Sequence, residues 1–169
     1  LTGRTVVVVP KADLLSACPT VAGATRFEYA PIVSSSQPVV DLDGGGLPTS
    51  LWSASGYPSR LFRYNVVGPA ASPSLVSGGF VTMTSYAPPP DAPQPGGLVG
   101  LETYDKRLAS SLVLKDGVVW GVHTVDSGGR AAVHWFKVDE ANNVLLQEGL
   151  IADPARAYYY PSIAVNGEG

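Results

Sequence analysis

The sequence predicts an all-β fold made of repeated four-stranded units, and three observations support this prediction. Short runs in which apolar and polar residues alternate recur along the chain. The 169 residues include 19 glycines and 15 prolines, well above the average share of these turn-forming residues, which is about 12%. Three eight-residue segments also resemble one another, and such self-similarity is typical of repeat architectures.

The three similar segments each consist of an apolar strand that runs into a tight turn. They read QPVVDLDG at 37–44, SSLVLKDG at 110–117 and YPSIAVNG at 160–167. The copies are aligned at Pro38, Ser110 and Pro161, which places them 72 and 51 residues apart. With this alignment, Val40 is equivalent to Leu112. Each copy ends in Asp-Gly or Asn-Gly, pairs that accept the positive φ angles of tight hairpin turns.

Further strand patterns follow the first two copies in the same order. A strand with a tryptophan comes first, a strand with aromatic residues comes second, and a closing strand comes third. These are 51–54, 61–66 and 75–86 after the first copy, and 119–122, 133–138 and 144–151 after the second. An apolar run at 5–9 resembles the last strand of an earlier unit. Helix patterns are confined to two short stretches, 11–16 and 139–143.

The chain is therefore predicted to consist of four-stranded antiparallel units of about 50 residues, the size of one β-propeller blade. We divide it into the end of a preceding blade (1–36), a blade with a proline-rich loop at 88–97 (37–98), a second blade (99–158) and the start of a following blade (159–169). A propeller has at least four blades, so these make a partial propeller. We expect the ring to be completed by the remainder of a longer chain or by further copies of this one.

Alternation along these strands also predicts which side chains are buried between sheets. If the first two copies are structurally equivalent, Val40 and Leu112 occupy the same position in their units. The predicted buried set is Val40, Leu42, Trp52, Leu112, Leu114, Trp120, Ile163 and Val165.

Composition excludes several classes of function. Charged residues make up 15% of the chain and the formal net charge is −3, whereas nucleic-acid binding normally needs a basic patch. The single cysteine, Cys18, excludes an intrachain disulfide and a cysteine-based metal or redox motif, and we expect it to be a small core or surface residue. No apolar run approaches the roughly 18 residues of a membrane-spanning helix.

Several segments together carry a resemblance to a known group. They are 130–139, 147–149, 153–154 and 160–166, together with Arg107-Leu108 before 116–120 and 11–15 after the apolar run at 6–9. These segments resemble a group of uncharacterised bacterial β-propeller-like proteins. Members of this group are predicted to be extracytoplasmic and are loosely similar to exo-sialidase-type propellers. The resemblance implies a propeller-type fold and a secreted or cell-surface location. It implies no established activity, so no catalytic residue is transferred with it.

Two patterns bear on a sialidase-type activity. Sialidase-type propellers carry Asp boxes, Ser-x-Asp-x-Gly followed closely by Trp. The segment 124–128 (TVDSG) begins similarly, but the next tryptophan, Trp135, lies too far along, so we interpret the segment as a turn. Glycoside hydrolysis uses acidic groups, or a tyrosine nucleophile in sialidases. The tyrosines at 158–160 supply phenols, and carboxylate-binding groups are available from Arg60, Arg63, Arg107, Arg130 and Arg156. These tyrosines and arginines do not repeat along the chain at positions that would bring them together at one site.

Three other patterns have simpler structural interpretations. The segment 41–46 (DLDGGG) places two carboxylates on a glycine turn, but it lacks the further acidic ligands of a calcium loop. His123 and His134 lie on adjacent strands, but zinc needs three or four ligands, so we expect structural or surface histidines. The segment 88–97 favours extended polyproline geometry and predicts a long, semi-rigid loop. This loop is the first candidate for binding.

The sequence therefore assigns no catalytic, cofactor-binding or metal-ligating residue, and it leaves the binding residues unknown. We expect an extracytoplasmic binding or structural module with a glycan or a protein as its ligand. The alternative is a glycan-active hydrolase of the sialidase type, with its site partly in other blades. An arginine cluster beside a Tyr–Glu pair would favour the hydrolase.

Overall fold

Strands dominate the computed structural model, which describes residues 4–28, 35–44, 49–54, 57–103 and 106–168. Of the described residues, 44% lie in strands and 5% in helices, so the prediction of an all-β fold is confirmed. The alternating pattern produces strands because successive side chains of a strand point to opposite faces of a sheet, which suits one buried and one exposed face.

The described residues form ten strands and two short helical turns. The strands are β1 (Val6–Val8), β2 (Thr25–Phe27), β3 (Gln37–Asp41), β4 (Thr49–Ser53), β5 (Arg60–Val67), β6 (Ser74–Thr82), β7 (Leu112–Lys115), β8 (Val118–Ser127), β9 (Arg130–Asp139) and β10 (Val144–Ile151). A one-turn helix, α1 (Lys11–Leu14), lies between β1 and β2, and a 3-10 turn at Pro95–Gly97 lies between β6 and β7.

Eight strands form one mixed sheet in the order β10-β9-β8-β7-β3-β4-β5-β6. Within it, β3 to β6 form one antiparallel meander and β7 to β10 form another. We call these the first unit and the second unit. The two units meet where β3 and β7 pair in parallel. The strands β1 and β2 form a separate antiparallel pair.

The parallel ladder fixes the register at which the first two copies pair with each other. Val39 lies opposite Leu112, and Val40 lies opposite Val113. Residues opposite each other in a ladder point to the same face of the sheet, so Val40 and Leu112 point to opposite faces. Val39 and Leu112 lie against the core, whereas Val40 is 47% exposed.

The predicted burial is right for part of the set. Trp52 and Leu112 are fully enclosed. Half-buried positions are occupied by Leu114, Trp120, Ile163 and Val165. The prediction is wrong for Val40 and also for Leu42, which is 52% exposed. These two side chains lie on the same side of the chain, the side turned away from the core.

The eight-stranded sheet curls, so that the two units face each other across one apolar core. Trp52 and Leu61 enter this core from the first unit, and Phe136 and Val138 enter it from the second. The ring of Phe136 fits because its register partner on β8 is Gly121. A Cβ atom on Gly121 would lie 2.3 Å from that ring. Removal of this apolar surface from water is the main force that holds the two units together.

A buried ion pair links the units at one end of the core. The guanidinium of Arg63 on β5 lies 3.5 Å from the carboxylate of Glu140 in the β9–β10 turn, and it also donates to the carbonyl of Glu140. Trp52 donates its indole N–H to Ser50 at 2.9 Å, and Ser50 donates to the same carboxylate. The buried charges are therefore paired and hydrogen-bonded, as burial of charge requires.

The other face of the first unit is covered by the β1–β2 pair. Val6, Val8 and Phe27 pack there against a second apolar cluster. Its buried members are Leu51, Tyr64 and Val66. The β1–β2 pair, the first unit and the second unit thus follow one another as three packed layers.

The copies differ in their turns. The second copy forms the predicted hairpin, since Asp116 and Gly117 join β7 to β8 with φ angles of 52° and 72°. The first copy has a longer connection from β3 to β4, of which 45–48 lie outside the described residues. The prediction of a strand is wrong for the third copy, because residues 161–166 form no strand in the structure.

Several element bounds also differ from the prediction. The strand expected at 75–86 ends at Thr82, and the helix expected at 11–16 ends at Leu14. The stretch 139–143 contains the turn between β9 and β10 and not a helix. β2 lies outside the predicted strands, because its three residues are too few to show alternation.

Two leucines that the sequence places in one buried set test which face of the sheet is buried. Leu112→Ala should lower the free energy of unfolding by about 2–5 kcal/mol, because Leu112 is fully enclosed in the inter-unit core. Leu42→Ala, the matched control, should change it by no more than about 0.5 kcal/mol, because that side chain is exposed. Urea unfolding of both variants measures the difference, and equal losses would contradict the register.

Candidate functional site

A cleft beside the inter-unit core brings polar groups from several strands together. It has a volume of about 280 Å³, and its walls include Thr84, Tyr86, Asp126, His134, Glu148 and Leu150. The first two of these residues follow β6 of the first unit, whereas the others come from β8, β9 and β10 of the second unit. The cleft therefore lies where the two units meet.

Three hydrogen-bonding contacts connect a chain of side chains at this cleft. His123 Nδ1 lies 2.8 Å from the carbonyl oxygen of Lys106, and His123 Nε2 lies 2.9 Å from His134 Nδ1. His134 Nε2 lies 3.0 Å from Glu148 Oε2. The carboxylate of Glu148 also accepts from Thr84, at 3.0 Å from the backbone N–H and 2.6 Å from the hydroxyl.

Strand register explains why these groups meet. His123 and His134 lie directly opposite each other on β8 and β9, where cross-strand side chains are close enough to interact. On the next strand, Leu150 lies opposite His134. Glu148 is two residues earlier on the same face of β10, so its longer side chain reaches the imidazole diagonally.

The ring of Tyr86 closes the side of the cluster that faces the first unit. It meets the imidazole of His123 edge-on at a centroid distance of 4.5 Å, and it lies 6.2 Å from that of His134. Its hydroxyl donates to the carbonyl of Ala54. Burial raises the pKa of Tyr86 to about 12, so the phenol stays neutral and bonds back to the end of β4.

Burial shifts the titration of this cluster. Burial lowers the pKa of His123 to about 4, and burial also lowers the pKa of His134 while the Glu148 carboxylate opposes that effect. For Glu148, burial alone would raise the pKa, but the bonds from Thr84 and the nearby His134 together lower it. The site therefore favours an ionised carboxylate beside imidazoles that protonate reluctantly.

The sequence pattern brings two histidines to adjacent strands, but it gives no sign of their other partners. Glu148 is 14 residues from His134, and Thr84 is 64 residues from Glu148. A hairpin register for β9 and β10 is the signal that would place an acidic residue of β10 beside His134. Thr84 and Tyr86 belong to the other unit, so only packing between the units brings them here.

The arginines considered for carboxylate binding are held on different elements. Arg60 stacks on an aromatic ring of β6 at 4.3 Å, and Arg63 is bound to the β9–β10 turn. Arg107 donates to a serine hydroxyl before β3 at 2.9 Å, and Arg130 donates to a carbonyl after β10 at 2.6 Å. Arg156 is exposed. They do not converge on the cleft.

The tyrosines at 158–160 lie along the second unit. The backbone N–H of Tyr158 donates to the carbonyl of Ala131, and that of Tyr160 donates to the hydroxyl of Thr124. The segment that resembles an Asp box is the end of β8 and the turn after it. There the carboxylate of Asp126 accepts from the backbone N–H of a turn glycine at 3.0 Å.

The two carboxylates considered for calcium organise turns. Asp41 accepts from the backbone N–H groups of Asp43 and Gly44. Asp43 accepts from those of Asp116 and Gly117, at 2.7 and 3.0 Å, and these two bonds lower the pKa of Asp43. The first copy is thereby tied to the turn of the second. Within the described ranges, no three His, Cys, Asp or Glu side chains gather as the ligands of a metal would.

The proline-rich loop is braced by its own hydrogen bonds. Ala92 and Leu101 exchange two backbone bonds of 2.8 Å, and Gln94 donates to the carbonyl of Val99. Val99, just after the loop, is 86% exposed. Cys18, on the connection between α1 and β2, is exposed with a free thiol.

A larger groove, of about 790 Å³, lies between β1 and the first unit. Its floor is largely aliphatic, with Val6, Val8, Leu51 and Val66 among its residues. This groove continues the apolar layer that separates β1 from the first unit. The smaller cleft is the better candidate site, because several polar groups with shifted pKa values converge there.

Comparison of this chain with protein-family models, with curated proteins and with solved structures finds no match. In the part of the chain that the structure describes, no helix is long and apolar enough to span a membrane. The site must therefore be interpreted from its own chemistry.

The pKa of His123 predicts a pH dependence of stability. The unfolded chain protonates this histidine near pH 6.5, whereas the native state does so only near pH 4. Between these values the unfolded state binds more protons, so the free energy of unfolding should fall as the pH falls, by at most about 1.4 kcal/mol per pH unit from this group. The full contribution is present above pH 6.5.

Urea unfolding between pH 8 and pH 4.5 measures this effect. The matched control is His123→Asn, whose amide can donate to the Lys106 carbonyl but binds no proton, and it should flatten the dependence. A wild-type stability that is constant from pH 7 to pH 4.5 would contradict the assignment.

Proposed function

We propose that this chain forms consecutive blades of a β-propeller and serves as an extracytoplasmic binding or structural module of bacterial type. The supporting observation is that the two units are packed in the same sense, with the front of one against the back of the next. Repetition of such an arrangement by rotation closes a ring of blades.

Equivalent residue pairs identify the front of each unit. In the first unit, Trp52 lies opposite Arg63, and the Arg63 guanidinium is 5.6 Å from the indole ring of Trp52. In the second unit, Trp120 lies opposite Lys137, and the Lys137 ammonium is 4.3 Å from the indole ring of Trp120. The first pair is buried against the second unit, whereas the second pair is half-buried on the face that points away from the first unit.

The half-buried pair supports a continuing stack. Val119 and Val138, which neighbour Trp120 and Lys137 along their strands, point to the opposite face and are fully buried against the first unit. The back of the second unit is thus occupied, and its front offers the surface that the first unit uses for packing. A further unit would bind there as the second unit binds to the first.

The ligand position in this proposal is the cleft beside His134 and Glu148. It is concave, it combines apolar walls with a few polar groups, and it lies between two units. These are common properties of small-molecule sites. Binding of a glycan or of a protein side chain would use the carboxylates of Asp126 and Glu148 together with the hydroxyl of Thr84.

Solvent access to Trp120 tests the stacking. The fluorescence of Trp120 is the part of the emission that a Trp120→Phe variant lacks. In the isolated 169-residue chain, acrylamide should quench this part, because the ring of Trp120 is half-exposed. In the intact source protein the same fluorescence should be shielded by the next unit. Trp52→Phe is the matched control, since Trp52 is fully buried in the chain itself and should be shielded in both samples.

The mass of the source protein gives an independent result. A ring of six to eight blades takes about 300–400 residues, from one chain or from several copies. Accessible Trp120 in a monomeric source protein of 17.6 kDa would rule out both forms of the proposal.

A glycan-active hydrolase of the sialidase type is the second candidate, and one observation favours it. Asp126 and Glu148 line the same cleft, and glycoside hydrolysis commonly uses two carboxyl groups. Under the binding-module proposal, the full-length protein releases no fluorescent aglycone from a sialoside. Release that is lost in both Glu148→Gln and Asp126→Asn, but kept in the exposed control Arg156→Ala, would establish the hydrolase instead.

A further inference from the structure

The contacts between His123, His134 and Glu148 have an unusual proton requirement. A neutral imidazole carries one N–H, so two neutral histidines supply two protons. Each of three contacts needs one proton between its two atoms to be a hydrogen bond. They are the contacts of His123 with the Lys106 carbonyl, of His123 with His134, and of His134 with Glu148. The carbonyl and the ionised carboxylate can only accept. With two neutral imidazoles, one of the three contacts therefore brings two lone pairs together.

The position of the missing proton follows from the surroundings. His123 is completely enclosed and keeps its Nδ1 proton on the Lys106 carbonyl, so it stays neutral down to the pKa of about 4 that burial gives it. Glu148 accepts two hydrogen bonds from Thr84, which keep it ionised. The third proton belongs on His134 Nε2, between the imidazole and the carboxylate.

We propose that these three side chains form a binding site for one proton, which closes a continuous hydrogen-bonded connection between the two units in mild acid. The connection runs from Lys106 through β8, β9 and β10 to Thr84, which follows β6. When the proton is absent, one link of this connection is broken. The site lies on the wall of the cleft, so its occupancy sets the charge that the cleft presents.

Among the described residues, few other ionisable groups face this site. Those from the packed elements are Lys106 before β7, His123 and Asp126 on β8, His134 on β9, Glu148 on β10 and Tyr86 after β6. The carboxylate of Asp126 is engaged by the turn after β8, and the phenol of Tyr86 is neutral. The charge of Lys106 opposes protonation of His123, which again directs the proton to His134.

Nuclear magnetic resonance of the histidine rings between pH 8 and pH 4.5 tests the proposal. The ring signals of His134 should titrate with one proton, with a midpoint below that of an ordinary histidine. Those of His123 should stay in the neutral form that carries hydrogen on Nδ1. Simultaneous titration of both rings, or titration of neither, would overturn the proposal.

Glu148→Gln is the decisive variant. Its amide can donate to His134 Nε2 and still accept from Thr84, so all three contacts are satisfied without the additional proton. The His134 titration should then disappear above pH 4.5. The free energy of unfolding should depend more steeply on pH near pH 5, because the native variant no longer binds the proton that the unfolded state takes up. A variant that titrates like the wild type would overturn the proposal.

Thr84→Val decides the matter if Glu148→Gln does not fold. This exposed substitution removes one donor to the carboxylate and leaves the backbone N–H in place. A less stabilised carboxylate should bind the shared proton more tightly, so the midpoint of His134 should move to higher pH. An unchanged or lower midpoint would contradict the assignment.

Discussion

The structure depends on one apolar layer that the two four-stranded units share. Neither unit can bury both of its faces alone, so each supplies one face to the common core around Trp52 and Phe136. The parallel pairing of β3 with β7 sets the angle and register at which the faces meet. The positions of the ion pair, the histidine cluster and the cleft all follow from that contact.

Polar links hold the units together at both ends of this layer. At one end, Arg63 and Glu140 form a paired and hydrogen-bonded network with Trp52. At the other end, Glu148 bonds both Thr84 of the first unit and His134 of its own unit. Such groups are costly to bury unless paired, so they favour one relative placement of the units over others that the apolar surface alone would allow.

The same packing supports the functional proposal. A unit whose front carries a tryptophan and a cation recurs along the chain, and the first such front is covered by the next unit. This interface uses different faces of the two units, as the proposed stack of units requires. The candidate cleft lies between the two units, where residues after β6 meet strands of the second unit.

Sequence alone determined the all-β class, most strand positions, the second-copy hairpin and the adjacency of the strands that carry His123 and His134. These depend on local alternation and on turn residues, which act over a few positions. It did not determine the one-residue register of Val39 against Leu112, nor the lack of a strand at 161–166. It also could not connect Glu148, Thr84 and Tyr86 to the histidines. Those features depend on which faces of distant strands are pressed together, and only the tertiary packing of the two units decides that.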